Sequence, residues 1–359
     1  MKKITSFLLS ICAVFALVPC GFGCGDDGVS REFKNVIVVI GDGMGENHIL
    51  NAIEHFDLET PSFMADQKEY IVTNSLSGTT DSAAGATALA TGVKVLNGSV
   101  AQFAEQDLEQ ITQIAKKAKM KTGIVTTDTL DGATPAGFSA HANDRGDTED
   151  ILRTQAESGV NLFLGQQSGS YRFYKNYFTK QNYTMVETKE ALFENKKKDK
   201  LLGHFNNIGS EYIVGCENDF QLKEMAEFAV EYLENKNGFF LMIEGAYIDK
   251  YSHSNAFEQA MCEMRSLIDT LEYLYDYASD GETAIFFTAD HETGGLKLAS
   301  DESEMNNYLY TSTGHTPTNV PLFVKNYAFD AQNFGYARGE LPQNTVVFEA
   351  CKAIIQGNK

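Results

Sequence analysis

The feature of this sequence that most constrains its fold is a repeated alternation between short apolar segments and longer segments with helical periodicity. Residues 36–40 read VIVVI, and such a run of β-branched residues predicts a strand that is buried on both faces of a sheet. Similar runs predict strands at residues 123–127, 160–164, 239–243, 284–288 and 321–324. Helical spacing of apolar residues predicts helices at residues 106–119, 150–156, 221–234, 256–277 and 346–355.

This alternation predicts an α/β fold with a central, mostly parallel sheet and helices on both faces. The sequence has no internal repeat or low-complexity tract, so a single domain over residues 33–359 is the simplest account. Residues 171–200 are rich in Lys, Asn, Tyr and Glu and show no clear period, so we expect a surface excursion there.

Residues 1–24 have the features of a bacterial secretory signal peptide. The chain begins with the basic MKK, continues with apolar residues 4–18 and then turns to small residues. The apolar run is too short for a membrane span. Cys24 is the preferred site of a lipid anchor, Cys20 is the other candidate, and cleavage without lipid is the alternative. In each case we expect an exported protein of the periplasm or cell envelope.

Charge and cysteine content narrow the partners and the covalent chemistry. The formal net charge is −20, with 49 acidic and 29 basic residues. Nucleic-acid-binding proteins usually carry the opposite sign, so we expect no nucleic-acid partner. Cys216 and Cys262 either pair in an oxidising compartment or remain thiols, and the sequence leaves both alternatives open.

Side chains that can bind metals and phosphate follow the predicted strands. In open α/β sheets, ligands bind outside the carboxyl ends of the strands. The residues near these ends are Asp42, Thr134, Arg145, Glu244, Asp249, His253, Asp290, His291 and His315. Imidazole and carboxylate without thiolate suit zinc in a hydrolytic site, whereas carboxylates with a hydroxyl suit magnesium. Two divalent ions about 4 Å apart form the usual clamp for displacement at phosphorus.

The segment TTDSAAGATALATG, at residues 79–92, consists almost entirely of small residues. One interpretation is a closely packed helix whose small side chains let another element approach. The other is a helix N-terminus that presents Ser82 as a nucleophile, with Asp81 as its cap and Gly92 at its end. A serine hydroxyl needs a base or a metal to become a good nucleophile. A helix N-terminus favours a phosphoryl group, so the two features support each other.

Together with this segment, five further motifs occur along the chain: VIGDGMG, DGATPAGFSAH, IEGAYIDKYSH, TADHETGG and GHT. In type and order, the six resemble the motifs of the alkaline phosphatases, from residue 33 to at least residue 324. The resemblance implies a three-layer α/β sandwich and a phosphomonoesterase that works with two zinc ions and one magnesium ion. It leaves a homodimer open.

The resemblance also implies a role for each matching residue. Ser82 is expected to bind zinc and become phosphorylated, and Arg145, oriented by Asp81, is expected to hold the phosphate. Lys250 matches a position that in some members reaches phosphate through water. The expected metal ligands are Asp42, Asp290 and His291 for the zinc that activates Ser82, Asp249, His253 and His315 for the other zinc, and Asp42, Thr134 and Glu244 for magnesium.

One position departs from the family pattern. The best-known members carry Asp or His two residues before the magnesium threonine, whereas this chain carries Gly132. We expect either a water molecule or Asp131 to fill this gap.

The expected substrates are phosphate monoesters, which would release inorganic phosphate. The alternative within the superfamily is a phosphodiesterase or phosphonate hydrolase. A sulfatase would need a Cys-x-Pro-x-Arg stretch, which the sequence lacks. A binding protein without turnover is the remaining alternative, but simple binding does not need Ser82.

Overall fold

A nine-stranded sheet forms the centre of the structure, a computed structural model that describes residues 33–213 and 220–357. Within these residues the strands are β1 Asn35–Gly41, β2 Gln67–Ile71, β3 Gln102–Phe103, β4 Gln106–Asp107, β5 Lys121–Thr129, β6 Leu162–Gln166, β7 Thr184–Val186, β8 Leu201–Phe205, β9 Phe239–Gly245, β10 Thr283–Thr288, β11 Glu292–Thr293, β12 His315–Thr316 and β13 Val320–Lys325. The order in the large sheet is β2-β13-β10-β1-β9-β5-β6-β8-β7. Neighbours from β10 to β7 pair in parallel, while β13 runs antiparallel to both β10 and β2.

Helices cover both faces of this sheet. The α-helices of the described residues are α1 Glu46–His55, α2 Ser82–Thr91, α3 Ile111–Lys117, α4 Ala133–Gly137, α5 Thr148–Glu157, α6 Tyr171–Lys180, α7 Lys189–Glu194, α8 Leu222–Leu233, α9 Tyr247–His253, α10 Phe257–Tyr277 and α11 Thr345–Gln356. Short 3-10 helices lie at Ser62–Ala65, Ala278–Asp280, Glu302–Glu304, Asn307–Leu309 and Ala331–Phe334. Adjacent residues of β9 point to opposite faces: Phe239 contacts Tyr277 of α10, and Phe240 stacks on Phe138 at the end of α4. The predicted α/β fold is confirmed.

Several predictions made at the N-terminus and at Cys216 lie outside the described residues. The signal peptide, both candidate lipid sites and the pairing of Cys216 with Cys262 therefore stay predictions. The described residues belong to one compact unit. None of the helices in residues 33–213 and 220–357 combines the length and apolar character that crossing a bilayer requires.

The structure corrects two expectations about local structure. Residues 106–119 do not form one helix, because Gln106–Asp107 pairs with Gln102–Phe103 in a small hairpin and α3 begins only at Ile111. Residues 171–200 are not a mere surface excursion, since they form α6, α7 and β7, the edge strand of the sheet. Buried Phe178 and Tyr183 pack against each other and anchor this segment to the core. Because so few residues anchor this segment, its sequence shows no apolar periodicity.

Helix α2 is buried along its whole length, which explains its composition. All of its residues from Ser82 to Thr91 are buried. A Cβ atom added to Gly85 would lie 2.9 Å from the carbonyl oxygen of Asp290, and one added to Gly137 of α4 would lie 2.9 Å from the Cβ of Ala86. Asp81 caps the helix by accepting a 3.0 Å hydrogen bond from the backbone N of Ala84. The small residues therefore bring the start of α2 close to the end of β10.

Replacing Gly85 with Ala should separate α2 from β10 and destabilise the fold. Alanine usually favours a helix over glycine by about 1 kcal/mol, but overpacking against the backbone costs about 1–3 kcal/mol. The balance predicts that Gly85→Ala loses up to about 2 kcal/mol in the free energy of unfolding, measured by urea denaturation, instead of gaining about 1 kcal/mol. Gly169→Ala is the control, because no heavy atom of the described residues other than its chain neighbours lies within 4 Å of its added Cβ. A Gly85→Ala variant that is about 1 kcal/mol more stable than the wild type would contradict the close contact.

Candidate active site

The candidate site lies at the carboxyl ends of four strands that are neighbours in the sheet, β10, β1, β9 and β5. Asp42 directly follows β1, and Glu244 is the penultimate residue of β9. Asp290 lies two residues beyond β10, and Thr134 lies in α4 after β5. Because these strands run parallel, the fold brings side chains from distant parts of the sequence to one edge.

The first cluster consists of Asp42, Asp290 and His291 and faces Ser82. Their ligand atoms all lie within 4.8 Å of one another. His291 Nε2 lies 3.4 Å from Asp42 Oδ1 and 3.3 Å from Asp290 Oδ2, and it also lies 3.2 Å from Ser82 Oγ. Both carboxylate oxygens are buried and have no hydrogen-bond partner. One imidazole nitrogen carries at most one proton and cannot satisfy three oxygens, so this cluster fits a bound cation.

The second cluster consists of Asp249, His253 and His315. His253 Nε2 lies 3.3 Å from Asp249 Oδ2 and 3.1 Å from His315 Nε2. The Nδ1 atoms of the two rings face the carbonyl oxygens of Thr313 at 2.6 Å and Thr80 at 2.7 Å. A carbonyl oxygen only accepts hydrogen bonds, so each Nδ1 carries a proton and the two Nε2 atoms face each other. Two facing nitrogen atoms need a positive charge between them, which a proton or a metal ion would supply.

Thr293 connects the two clusters. Its hydroxyl donates to Asp249 Oδ1 at 2.5 Å and lies 3.2 Å from His291 Nδ1. The ligand atoms of Asp249, His291 and His315 also lie within 4.8 Å of one another. The clusters are therefore contiguous and could hold two ions side by side.

Glu244, Thr134 and Asp42 offer only oxygen atoms. The Thr134 hydroxyl is buried without a hydrogen-bond partner, and Glu244 accepts a hydrogen bond from the hydroxyl of Thr126. Burial and the neighbouring carboxylate of Asp128 raise the pKa of Glu244 to about 7. An oxygen-only donor set is typical of a hard cation such as magnesium.

The protein alone leaves this edge of the sheet short of positive charge. Burial raises the pKa of both Asp42 and Asp290 well above its ordinary value, and repulsion by Asp249 and Glu244 raises it further. In contrast, hydrogen bonding to Asp249 raises the pKa of His253 to about 9. Without metal the cluster would therefore recruit protons, and divalent cations are the ligands that match its charge.

Arg145 and Lys250 provide the cationic side chains near the site. Arg145 Nη1 lies 3.4 Å from Asp81 Oδ2, and the guanidinium side chain is 43% exposed. The same Asp81 oxygen accepts a 3.0 Å hydrogen bond from the backbone N of Gly98, so Asp81 both caps α2 and contacts Arg145. Lys250 forms an ion pair with Asp128. The sequence analysis did not single out Asp128, although it directly follows the strand predicted at residues 123–127.

Comparison with known proteins agrees with this geometry. The family model described as Alkaline phosphatase matches residues 33–167 and 161–340. Alkaline phosphatase 3 of Bacillus subtilis is 30% identical over 84% of this chain and 72% of its own length. The chain belongs to the alkaline phosphatase family. The Escherichia coli alkaline phosphatase is 28% identical over 76% of this chain and 72% of its own length.

Solved structures of the family confirm the predicted three-layer fold. The alkaline phosphatase of the Antarctic bacterium TAB5 superposes with a TM-score of 0.78 at 27% identity, covering 92% of this chain and 99% of its own. The Thermus thermophilus enzyme, 21% identical with a TM-score of 0.75, shares the fold. The family match and the relatives named alkaline phosphatase also confirm the predicted enzyme class, a phosphomonoesterase.

His48 connects two segments that carry residues of the candidate site. Its Nδ1 accepts a 3.1 Å hydrogen bond from the backbone N of Gly45, and its Nε2 lies 3.0 Å from Ser252 Oγ. Ser252 precedes His253, so this buried ring ties the loop after β1 to helix α9. Burial lowers the pKa of His48 to about 4. Because Nδ1 accepts, the proton sits on Nε2 and the ring is neutral.

The neutral state of His48 should make stability depend on pH. The unfolded chain binds a proton near pH 6.5, whereas the folded state keeps His48 neutral down to about pH 4. Stability therefore falls as the pH drops through this window, by about 1.4 kcal/mol per pH unit. We expect the stability of His48→Gln, whose side-chain amide can donate and accept hydrogen bonds but does not titrate, to fall by about 1.4 kcal/mol less per pH unit. Urea denaturation of both proteins in chelator between pH 7 and 4 measures the difference, and parallel profiles would refute it.

Proposed function

We propose that the protein is a secreted phosphomonoesterase that hydrolyses its substrates through a phosphoserine intermediate on Ser82, with two zinc ions and one magnesium ion. The observation that carries the proposal is the position of the Ser82 hydroxyl. It lies at the first residue of α2, 3.2 Å from His291 Nε2, beside two buried carboxylate oxygens that have no hydrogen-bond partner. A site that only bound phosphate would not need a nucleophile there.

The proposed zinc ligands are the residues of the two imidazole-containing clusters. Asp42, Asp290 and His291 would hold the ion next to Ser82, while Asp249, His253 and His315 would hold the other. Asp42, Thr134 and Glu244 would hold magnesium. A variant of the TAB5 enzyme, 26% identical with a TM-score of 0.77, has Mg bound in its M3 site. This supports the proposal that the present chain also binds magnesium.

When bound, the cations lower the pKa of the attacking hydroxyl and stabilise charge on the attacking and leaving oxygens. Ser82 Oγ attacks phosphorus, an O–P bond forms, and the alcohol leaves with a proton. A water molecule then attacks phosphorus, the Ser82 O–P bond breaks, and the hydroxyl regains its proton as inorganic phosphate departs. The positive end of the α2 dipole, at Ser82, favours the phosphoryl group throughout.

Arg145 would orient the phosphoryl group in both steps. A guanidinium binds two phosphoryl oxygens at once, which a lysine cannot do. The contact with Asp81 turns the guanidinium towards the start of α2, and the exposed side chain leaves room for substrate. Lys250, paired with Asp128, would contact phosphate through water. The basic and apolar start of the sequence supports export, with Cys24 as the proposed lipid site.

Replacing Ser82 with Ala should abolish turnover without emptying the metal site. We expect kcat for p-nitrophenyl phosphate to fall at least about 10³-fold, the usual cost of losing a nucleophile. Ser300→Ala, on an exposed loop, is the matched control. Acid quenching of the wild type should trap phosphate on Ser82, visible by mass spectrometry, and chelator should remove activity until zinc and magnesium are restored. Faster hydrolysis of bis(p-nitrophenyl) phosphate than of the monoester would favour the phosphodiesterase alternative.

Two further variants should separate the metal sites. His315→Ala removes an imidazole whose Nε2 lies 3.6 Å from Asp249 Oδ1, so we expect about one zinc ion per chain to be lost. Thr134→Ala removes a hydroxyl and a methyl group and should mainly weaken magnesium binding while both zinc ions stay. Metal content measured by mass spectrometry after dialysis checks both outcomes. Unchanged content in both variants would overturn these ligand assignments.

A further inference from the structure

The space beside Gly132 is occupied by the side chain of Asp128. A Cβ atom added to Gly132 would lie 2.6 Å from Asp128 Oδ2 and 3.1 Å from Asp128 Cγ. Gly132 has a negative φ of −59°, so its backbone conformation does not itself require glycine. The positions of the Asp128 carboxylate and of the Thr129 carbonyl oxygen, 2.9 Å from the added Cβ, leave no room for a side chain there.

We infer that Asp128 is the positioning carboxylate of the magnesium site, in the place that a side chain at position 132 would otherwise take. This inference rests on the proposed function, because it assumes a hard cation at Glu244 and Thr134. It replaces the earlier expectation that Asp131 or water alone fills the gap.

Two contacts hold the Asp128 carboxylate in this place. Its Oδ1 accepts a 2.7 Å hydrogen bond from the backbone N of Thr129, and the same oxygen pairs with Lys250 Nζ. Lys250 directly follows Asp249, a proposed zinc ligand, so the ion pair links the end of β5 to α9. A carboxylate held from two sides keeps a fixed orientation, which positioning of a hydrated cation needs.

Thr126 couples the backbone at Asp128 to Glu244, one of the proposed magnesium ligands. Its hydroxyl donates to Glu244 Oε2 and accepts a 2.8 Å hydrogen bond from the backbone N of Asp128. Thr126 and Glu244 are also direct partners in the pairing of β5 with β9. The hydroxyl of Thr126 therefore connects Asp128 to Glu244. Thr134, the other proposed ligand in this region, lies two residues beyond Gly132.

The chemistry of this arrangement favours magnesium over zinc. Magnesium keeps several bound water molecules and is usually held by one or two carboxylates. An additional carboxylate beyond the direct ligands can accept hydrogen bonds from those waters and orient them. An imidazole at the same place would instead favour a softer ion. The proposed ligands Asp42, Thr134 and Glu244 offer only oxygen atoms, and a carboxylate rather than an imidazole beside them matches magnesium.

The test is the magnesium affinity of the zinc-loaded full-length protein, measured by equilibrium dialysis with metal analysis. We expect Asp128→Asn to weaken magnesium binding 10–100-fold, the usual effect of losing a residue that supports a metal ligand. The two zinc ions should remain. Asp131→Asn removes the same charge three residues away and should change the affinity less than about twofold.

The outcomes separate this inference from the proposed function. A loss of magnesium in Asp131→Asn but not in Asp128→Asn would overturn the assignment, and so would unchanged binding in both. A wild type that binds zinc and hydrolyses p-nitrophenyl phosphate but takes up no magnesium would also overturn it, while leaving the phosphatase proposal intact. A wild type without turnover would instead contradict the proposed function.

A second measurement tests the shared space independently of any metal. In chelator, Gly132→Ala should lower Tm in the wild type, because its Cβ would meet Asp128 Oδ2. In the Asp128→Ala background the same substitution should cost much less. The carbonyl oxygen of Thr129, 2.9 Å from the added Cβ, is present in both backgrounds and cancels in the comparison. Equal losses of Tm would mean that Asp128 does not occupy this space.

Discussion

The mutual repulsion of buried carboxylates is the constraint on which the rest of this structure depends. Asp42, Asp290, Glu244 and Asp249 gather where parallel strands end, and burial together with their mutual repulsion raises the pKa of Asp42 and Asp290. Folding tolerates such a cluster only if protons or cations neutralise it. The imidazoles, the proposed nucleophile Ser82 and the proposed phosphate-binding Arg145 are all arranged around that requirement. The other residues of the site are thus arranged around its acidic centre.

The close approach of α2 to β10 turns this charged edge into a reactive site. A helix with ordinary side chains would stand further from the sheet and would keep Ser82 away from His291. Alanine and glycine let the backbone come within contact of Asp290, at the cost of apolar surface that larger residues would bury. Function therefore explains why a buried helix of this length carries only one large side chain, Leu89.

The sequence predicted what depends on local pattern and on linear motifs. Strands such as β1 and β9 were recognisable from unbroken apolar runs, and the motifs pointed to Ser82, Asp290 and His291, which the fold places side by side. What it could not predict depends on packing between distant segments. The edge strand β7 is anchored by Phe178 and Tyr183, which form no period. Asp128 escaped notice because its relation to Gly132 exists only in the folded turn between them.

The hydrogen bond between His315 and Thr80 has a consequence for how the protein matures. It joins residues 235 positions apart, and it fixes an imidazole of one cluster against the residue that precedes Asp81. A segment that spans fewer than 235 positions cannot contain both partners of this bond. Contacts between such distant segments form slowly. An exported chain would therefore cross the membrane without affinity for the metals it needs. If the protein is exported as proposed, metal uptake would then be the last step of folding and would take place outside the cytoplasm.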